Sequence, residues 1–359
     1  MRPRPDRWES GSEFPQPAAD ELDGAPAYPW GAGGALFGSG RQALYAALAA
    51  GRGWRRLWAP SYFCPSVVAA LAPVGLPVRR YADAPDRPRR LDDVPFETGD
   101  VLLLVNTLGL RGRPELTALP EGVAVIEDHT HDPLSPWAFG STAEVCVASL
   151  RKWLPLADGG VAWSPRGRVI AAPAERAAWR RIADDKRVAM ERKAAYLAGD
   201  DVDKDDYLQR SRAAERALER AAPAAISAWS RAILERCPAA RFRAIRAANF
   251  ERLRAALVAA GVEVLTPTQP GCCPFAVTLV LPSAALRERL SAFLIARRVY
   301  PAVLWPMAPG EARDADVALS RRVLSIHCDH RYDEDDLDRI AALVREGLAT
   351  LESLARASP

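Results

Sequence analysis

The run Val101-Leu102-Leu103-Leu104-Val105-Asn106 narrows the fold of this chain more than any other segment. An amphipathic helix or a half-exposed strand would interleave polar residues; a strand buried on both faces of a parallel sheet does not. Val123 to Ile126 is a second such run. It ends in Glu127-Asp128, at the carboxyl end, where open α/β sheets hold their ligands. Other elements alternate around these two. Ser39-Gly40 opens a helix through Leu48. Trp54–Ala59 reads as a strand, Pro65–Ala72 as a helix and Pro77–Tyr81 as a strand. Glu144–Ser149 and Val161–Ser164 are further strands on either side of a Gly159-Gly160 turn. The pattern predicts an α/β fold with a large mixed or parallel sheet and helices on both faces.

Length and pattern divide the 359 residues into an arm, a large domain and a small one. Residues 1–33, rich in Pro, Gly and acidic residues and without a period, read as an N-terminal arm or partly ordered lead-in. Residues 34–235 form the large domain. Residues 236–359 form a smaller α+β domain, with strands over Glu263–Leu265, Ala276–Leu281, Val299–Leu304 and Val323–Ile326 and helices over Ala284–Arg297 and Asp335–Leu354. Between the strands of the two domains, 174–260 is almost all helix.

Bulk chemistry excludes several classes. Hydrophobic residues make up 49% and charged residues 26%, as in a soluble globular protein. The net charge of +3 comes without a basic stripe bearing interleaved aromatics, so nucleic acid is not an expected partner. Arg alternates with Asp and Glu along the helical stretch, which reads as solvated faces. No apolar run is long enough to span a membrane, and the first residues lack the apolar core of a signal peptide. The six cysteines show no metal-ligand spacing, and reduced thiols in the cytoplasm are the expectation.

Of 48 Lys plus Arg, only Lys152, Lys186, Lys193 and Lys204 are lysines. Three fall within the charge-rich stretch Asp184–Asp206. Lys152 stands apart, between a strand and a Gly-Gly pair. A guanidinium stays protonated, whereas a lysine of lowered pKa is a nucleophile. Lys152 is therefore either an amine for Schiff-base chemistry or a surface residue after a strand. Ser39-Gly40-Arg41 presents a helix N-terminus that can hold a phosphate or be an ordinary Ser cap. Asp128 can pair with a protonated pyridine nitrogen, or serve as a cap or ion-pair residue. Together, in this order, these are the parts that pyridoxal 5'-phosphate needs. Arg331 reads as a substrate carboxylate clamp or as a partner of the acidic run Asp333–Asp336. Trp305 reads as packing or as a substrate contact. His129 and His131 with Asp128 and Asp132 lack metal-site spacing, so no metal is expected.

From about Ala35 to Leu354 the chain resembles the DegT/StrS-type aminotransferases, pyridoxal-phosphate enzymes of fold type I. Ser39-Gly40-Arg41-Gln42-Ala43-Leu44 stands at their phosphate loop, and Ala59-Pro60-Ser61-Tyr62-Phe63 at their Pro-Ser-aromatic segment. Val125-Ile126-Glu127-Asp128 matches their strand end. Ser149, Lys152 and Asp158-Gly159-Gly160 match their Ser, Lys and Gly-Gly turn. The resemblance implies that Lys152 binds the cofactor covalently and Asp128 pairs with its ring nitrogen. It places Ser39, Gly40, Arg41 and Ser149 on the phosphate, and His131 near the phenolic oxygen. Cys64 falls where an aromatic stacks on the ring, so Tyr62 or Phe63 is expected to shift in. The Asn-Tyr-Arg loop of the sugar enzymes is not recognisable near 185–215. The resemblance further implies a homodimer, an amino donor such as glutamate, and a keto acceptor, with a keto-sugar nucleotide as one candidate. The Ala-rich stretch 211–260 is long enough to pack against a partner. Elimination, dehydration or condensation on an amino acid, or a cofactor-binding scaffold without catalysis, are the competing readings.

Overall fold

The computed structural model describes residues 3–11, 13–116, 119–220 and 222–357. In chain order the elements are β1 (Ser10–Gly11), β2 (Ala35–Phe37), α1 (Gly40–Ala49), β3 (Arg56–Pro60), α2 (Pro65–Ala70), β4 (Val78–Tyr81), β5 (Asp100–Val105), β6 (Ala124–Asp128), α3 (Pro136–Phe139), β7 (Val145–Ala148) and β8 (Gly160–Trp163). A helical series follows: α4 (Ala177–Ala198), α5 (Lys204–Arg220), α6 (Ala228–Leu234) and α7 (Ala239–Val258). The last part holds β9 (Val277–Val280), α8 (Ala284–Ile295), β10 (Val299–Tyr300), α9 (Asp314–Ser320), β11 (Val323–Ile326) and α10 (Glu334–Ala357).

Seven strands form one sheet in the order β2-β8-β7-β6-β5-β3-β4. The strands from β7 to β4 are parallel to their neighbours, and β8 runs antiparallel to both β7 and β2. The apolar run of β5 is buried on both faces as its sequence predicts. Leu102 and Leu104 enter one core with Trp153 and Trp163, while Val101, Leu103 and Val105 enter the other with Leu44 and Leu48. In register, Asp128 at the end of β6 lies between Val105 of β5 and Val147 of β7. The carboxyl ends of three adjacent strands therefore open at one place.

The later α+β part departs from the sequence expectation. Only β9 and β11 form an antiparallel pair. Glu263–Leu265 makes a single bridge, Val264 with Leu279, and Pro267 soon ends the pairing. The strand expected over Val299–Leu304 stops at Tyr300, because Pro301 has no N–H for a ladder; a lone bridge joins Ala302 to Ser325.

The partner of β10 is the N-terminal arm: Ser10 and Gly11 pair in parallel with Val299 and Tyr300. The described arm residues are thus folded onto the body. Trp8, 6% exposed, joins the core of Leu253, Leu279, Leu324 and Ile340, and its Nε1 donates to Asp336. The lysines of the helical stretch explain the docking. Lys193 and Lys204 both pair with Glu9, Lys186 pairs with Glu13, and Lys193 also donates to the Glu13 carbonyl. Lys186 and Lys193 are buried under the arm, while Arg180, Arg181, Asp184, Asp185 and Arg192 of the same helix are exposed, the solvated face that the Arg and acidic pattern predicts. A Trp8→Ala variant should lose about 3–5 kcal/mol of stability, as for truncation of a buried aromatic. Urea unfolding measures this, and limited proteolysis should show earlier cleavage within the arm.

Candidate active site

Close passage of two glycine-containing segments creates the site. Ser39 bridges Gly159 in parallel, and Gly159 N–H donates to the Gly38 carbonyl at 2.7 Å. Gly159 has φ of +143°, and a Cβ on Gly160 would fall 2.2 Å from the Ser39 carbonyl carbon. A Cβ on Gly40 would lie 2.6 Å from the Ser149 Cβ. Glycine is required at both contacts for backbone to approach backbone this closely. Asp158, fully buried, fixes the turn by accepting from Trp179 Nε1 at 2.7 Å and from the Ser227 N–H and hydroxyl. As a result the N-terminus of α1 sits against the chain that leaves β7.

Around this contact lies a recess of about 60 Å³ lined by Ser39, Gly40, Arg41, Phe63, Cys64, Asp128, Thr130, His131, Ser149, Lys152 and Trp305, among others. The sequence-derived residues converge here, with two exceptions. Tyr62 is wholly buried behind the wall, its hydroxyl donating to the Leu304 carbonyl at 2.7 Å. Phe63 and Cys64 line the recess in its place. Arg331 lines a neighbouring chamber, but its fork is taken by Asp329 at 2.7 and 2.8 Å, and its Nη1 holds the Glu13 carbonyl. Its ion-pair partner is thus Asp329 and not the acidic run that follows.

Each remaining residue has a definite setting. The Ser39 hydroxyl accepts from Gln42 N–H at 3.3 Å, so it does cap α1. Arg41 donates to the Ser66 hydroxyl at 3.0 Å. Asp128 Oδ1 accepts from Thr130 N–H at 2.8 Å, and Thr130 Oγ1 accepts from Ser149 N–H at 3.0 Å. This chain of bonds joins the ends of β6 and β7. His131 Nδ1 accepts from Leu108 N–H at 3.0 Å. Burial, with Lys152 and Arg246 nearby, lowers the His131 pKa well below its usual value. The ring is therefore neutral, with its proton on Nε2, a buried donor that has no partner. It stacks on Trp305 with centroids 5.4 Å apart. Burial lowers the pKa of Lys152, and Arg151 and Arg41 add to this against Cys64 and Asp128. Its Nζ lies 6.0 Å from the Trp305 ring centroid.

The recess shares His131, Arg151 and Lys152 with an outer chamber of about 340 Å³, closed in part by Glu13 and Phe14 of the arm. Arg246, Phe275, Tyr300 and His327 also line it. A larger cleft, about 910 Å³, lies beside β4 among Arg80, Arg87, Asp83 and Asp93. It gathers no lysine or histidine, whereas the smaller space holds both. Glu127, His129 and Cys146 form a group with metal-ligand atoms, but His129 Nε2 bonds Glu127 at 3.0 Å and the Cys146 thiol points to the same carboxylate. Asp132 is drawn away from the histidines by Arg243 at 2.8–2.9 Å.

The donor set suits pyridoxal phosphate. The start of α1, two serine hydroxyls and Arg41 offer donors and positive potential to a phosphate. The glycines let the start of α1 and the chain after β7 meet at the edge of the recess. Asp128 supplies a carboxylate and Lys152 a partly buried amine. Sequence reasoning missed Thr130, the arm residues Glu13 and Phe14, and Arg246. Arg246 had a signal: it occupies the core-facing position of α7 between Phe242 and Phe250.

No protein-family model matches the chain, and no curated protein sequence does. Solved structures do. The aminotransferase TlmJ from Streptoalloteichus hindustanus shares 17% identity over 89% of this chain and 87% of its own, with a TM-score of 0.59. The putative sugar aminotransferase Spr1654 from Streptococcus pneumoniae, in its PMP form, shares 10% over 97% and 100%, with a TM-score of 0.63. DesI, solved with its TDP-sugar product, shares 18% over 91% and 83%, with a TM-score of 0.60. The chain has fold type I. No described helix is long and apolar enough to cross a membrane.

Acid should loosen this region. Burial pushes His327 down to about 4 and His330 to about 3, and Arg151 and Lys186 hold Glu215 at about 2 against the cost of its burial. All three bind protons more readily when unfolded, so the stability they confer is complete above about pH 6.5 and lost as pH falls through their folded values. The melting temperature should drop progressively from pH 6.5 to 4. His330→Phe keeps the stack on Phe242 and should flatten that slope; a flat wild-type profile would show the assignment to be wrong.

Proposed function

We propose that the protein is a pyridoxal-phosphate-dependent aminotransferase of the DegT/StrS type, moving an amino group from an amino acid to a ketone. The observation that carries this reading is a partly buried lysine after β7 that lines the same recess as a carboxylate at the end of β6, with the start of α1 beside both. The likeness to aminotransferases of known structure supports it. The likeness to the putative sugar aminotransferase Spr1654 and to DesI with its TDP-sugar product supports a keto-sugar nucleotide as acceptor.

When bound, the cofactor supplies an aldehyde carbon that takes an amine and a ring that accepts an electron pair. The chain supplies the rest. Ser39, Ser149, Arg41 and the backbone at the start of α1 would bind the phosphate. Asp128, aimed by Thr130, would hold a proton on the ring nitrogen. The Nε2–H of His131 would donate to the ring oxygen. Lys152, made less basic by burial, would take the proton from the substrate carbon and return it two atoms along, a 1,3 shift across the nitrogen. Trp305, Phe63 and the arm would exclude water.

The same reading includes a cytoplasmic homodimer. Six free cysteines suit a reducing compartment, and fold type I sites lie at subunit interfaces in the family it resembles. We also retain the division into large and small domains near residue 235.

Borohydride treatment of protein loaded with the cofactor should add mass to the peptide that carries Lys152, and Lys152→Ala should abolish the adduct. An unmodified wild type would refute the reading. Asp128→Asn should keep the adduct while turnover falls by roughly two or more orders of magnitude. Light scattering at micromolar concentration should give twice the chain mass; an active monomer would remove the dimer.

A further inference from the structure

A second group of reactive side chains lies behind the recess. Side chains alternate along a strand, so Glu127 turns away from Asp128. Glu127 and Cys146 are register partners on β6 and β7, and His129 follows directly after β6. Cys146 enters the core of Leu102 and Leu104, whereas Leu44 and Val105, which line the recess, belong to the other core. Glu127, His129 and Cys146 are all buried. His129 Nε2 lies 3.0 Å from Glu127 Oε2, and the Cys146 sulfur lies 3.6 Å from the same oxygen. The Ser141 hydroxyl lies 3.1 Å from that sulfur. A carboxylate oxygen, an imidazole nitrogen and the sulfur fall within 4.8 Å of one another.

Two features set this group apart from an ordinary hydrogen-bonded cluster. The first is charge. Among the described residues no lysine or arginine pairs with Glu127, and its one ion-pair partner is His129, charged only when protonated. Burial opposes the Glu127 charge, yet bonds from His129 and Ser141 outweigh that and keep it ionised. A buried carboxylate is costly unless a cation meets it. The second is geometry. A tetrahedral zinc ion with bonds of about 2.0–2.3 Å holds its donor atoms roughly 3.3–3.7 Å apart. The contacts of 3.0 and 3.6 Å need little adjustment. Without an ion the three side chains close on one another, and with one the same atoms turn to a common centre. His129 Nδ1 is buried without a partner, so the ring is free to carry its proton there and present Nε2. The spacing in sequence compared His129 with Asp128 and Asp132, whereas a donor here comes from the neighbouring strand.

We propose that Glu127, His129 and Cys146 bind a divalent cation of the zinc class, with the fourth position beside Ser141. Cys146 gives its proton to water and binds as thiolate. One thiolate and one carboxylate neutralise a doubly charged ion, so the filled site carries no net charge into the core. Sulfur and imidazole favour zinc or cobalt over magnesium and calcium, which take oxygen. Ser141 is the one partly exposed member, and the ion enters from its side. The bound ion ties β6 to β7 directly behind Asp128. The proposal does not rest on the function proposed above.

Cobalt(II) is the probe, because its spectrum reports both sulfur ligation and tetrahedral geometry. The full chain, stripped with a chelator and titrated with cobalt, should bind one ion with a thiolate charge-transfer band in the near ultraviolet, and zinc should displace it. Cys146→Ala should lose the band and bind at least about a hundredfold more weakly. No saturable band in wild type overturns the proposal. An unchanged band in Cys146→Ala overturns it too, and moves the ion to other thiols such as the adjacent Cys272 and Cys273. Should Cys146→Ala fail to fold by circular dichroism, X-ray absorption on zinc-loaded wild type decides. One sulfur at about 2.3 Å with nitrogen or oxygen neighbours at about 2.0–2.2 Å supports the site; no sulfur, or two, overturns it.

Discussion

The site depends on one steric constraint, the passage of Gly159-Gly160 against Ser39-Gly40. With a Cβ on Gly160 only 2.2 Å from the Ser39 carbonyl carbon, any side chain there would push the β8 turn off α1. Three things would separate at once: the helix N-terminus, Ser149 packed on Gly40, and the short 3₁₀ turn Leu150–Lys152 that follows β7. Asp158 reinforces the contact from behind, tied to Trp179 on α4 and Ser227 at the start of α6. The helical series is thereby coupled to the sheet at the point where the chemistry is held. A single buried carboxylate positions a turn, and the turn positions the amine.

The scarcity of lysine has a second meaning in three dimensions. Lys152 faces the recess, while Lys186, Lys193 and Lys204 hold the arm through Glu9 and Glu13. A buried pair of this kind adds little net stability, because desolvation offsets attraction, but removing one partner is costly. Its effect is to fix geometry. Burial pushes Lys193 down to about 8 even with Glu9 beside it, which shows how far the ammonium has left water. What this fixes is the path of the arm past the outer chamber, where Phe14 lies over Arg331 at 4.3 Å and near His330. The arm is part of the wall of the site.

Much of the sheet was legible because its signal is local. β5 and β6 are continuous apolar runs, and the end of β6 could be read to the residue at Asp128. The order of Asp128 and Lys152 on neighbouring strands followed from the parallel connection. What escaped depended on distant pairing. Nothing in Ser10-Gly11 announces a strand until Val299–Tyr300 is beside it, and the lysines of α4 look solvated until Glu9 and Glu13 cover them. Tyr62 and Phe63 are adjacent, so one turns towards the core as the other turns towards the recess, and composition cannot say which. Arg331 met a carboxylate two residues away before it could meet a substrate.

These observations give the site a consistent electrostatic design. Burial lowers the basicity of Lys152 and keeps His131 and His327 neutral, so the amine and two imidazoles add little fixed positive charge to the space a substrate enters. The arginines cannot be neutralised this way, and the fold pairs Arg151, Arg243 and Arg331 with Glu215, Asp132 and Asp329. Asp128 stands at the end of β6 with one oxygen held by Thr130 N–H. Arg246, which lines the outer chamber, has its Nη1 on the Phe275 carbonyl and no carboxylate partner among the described residues.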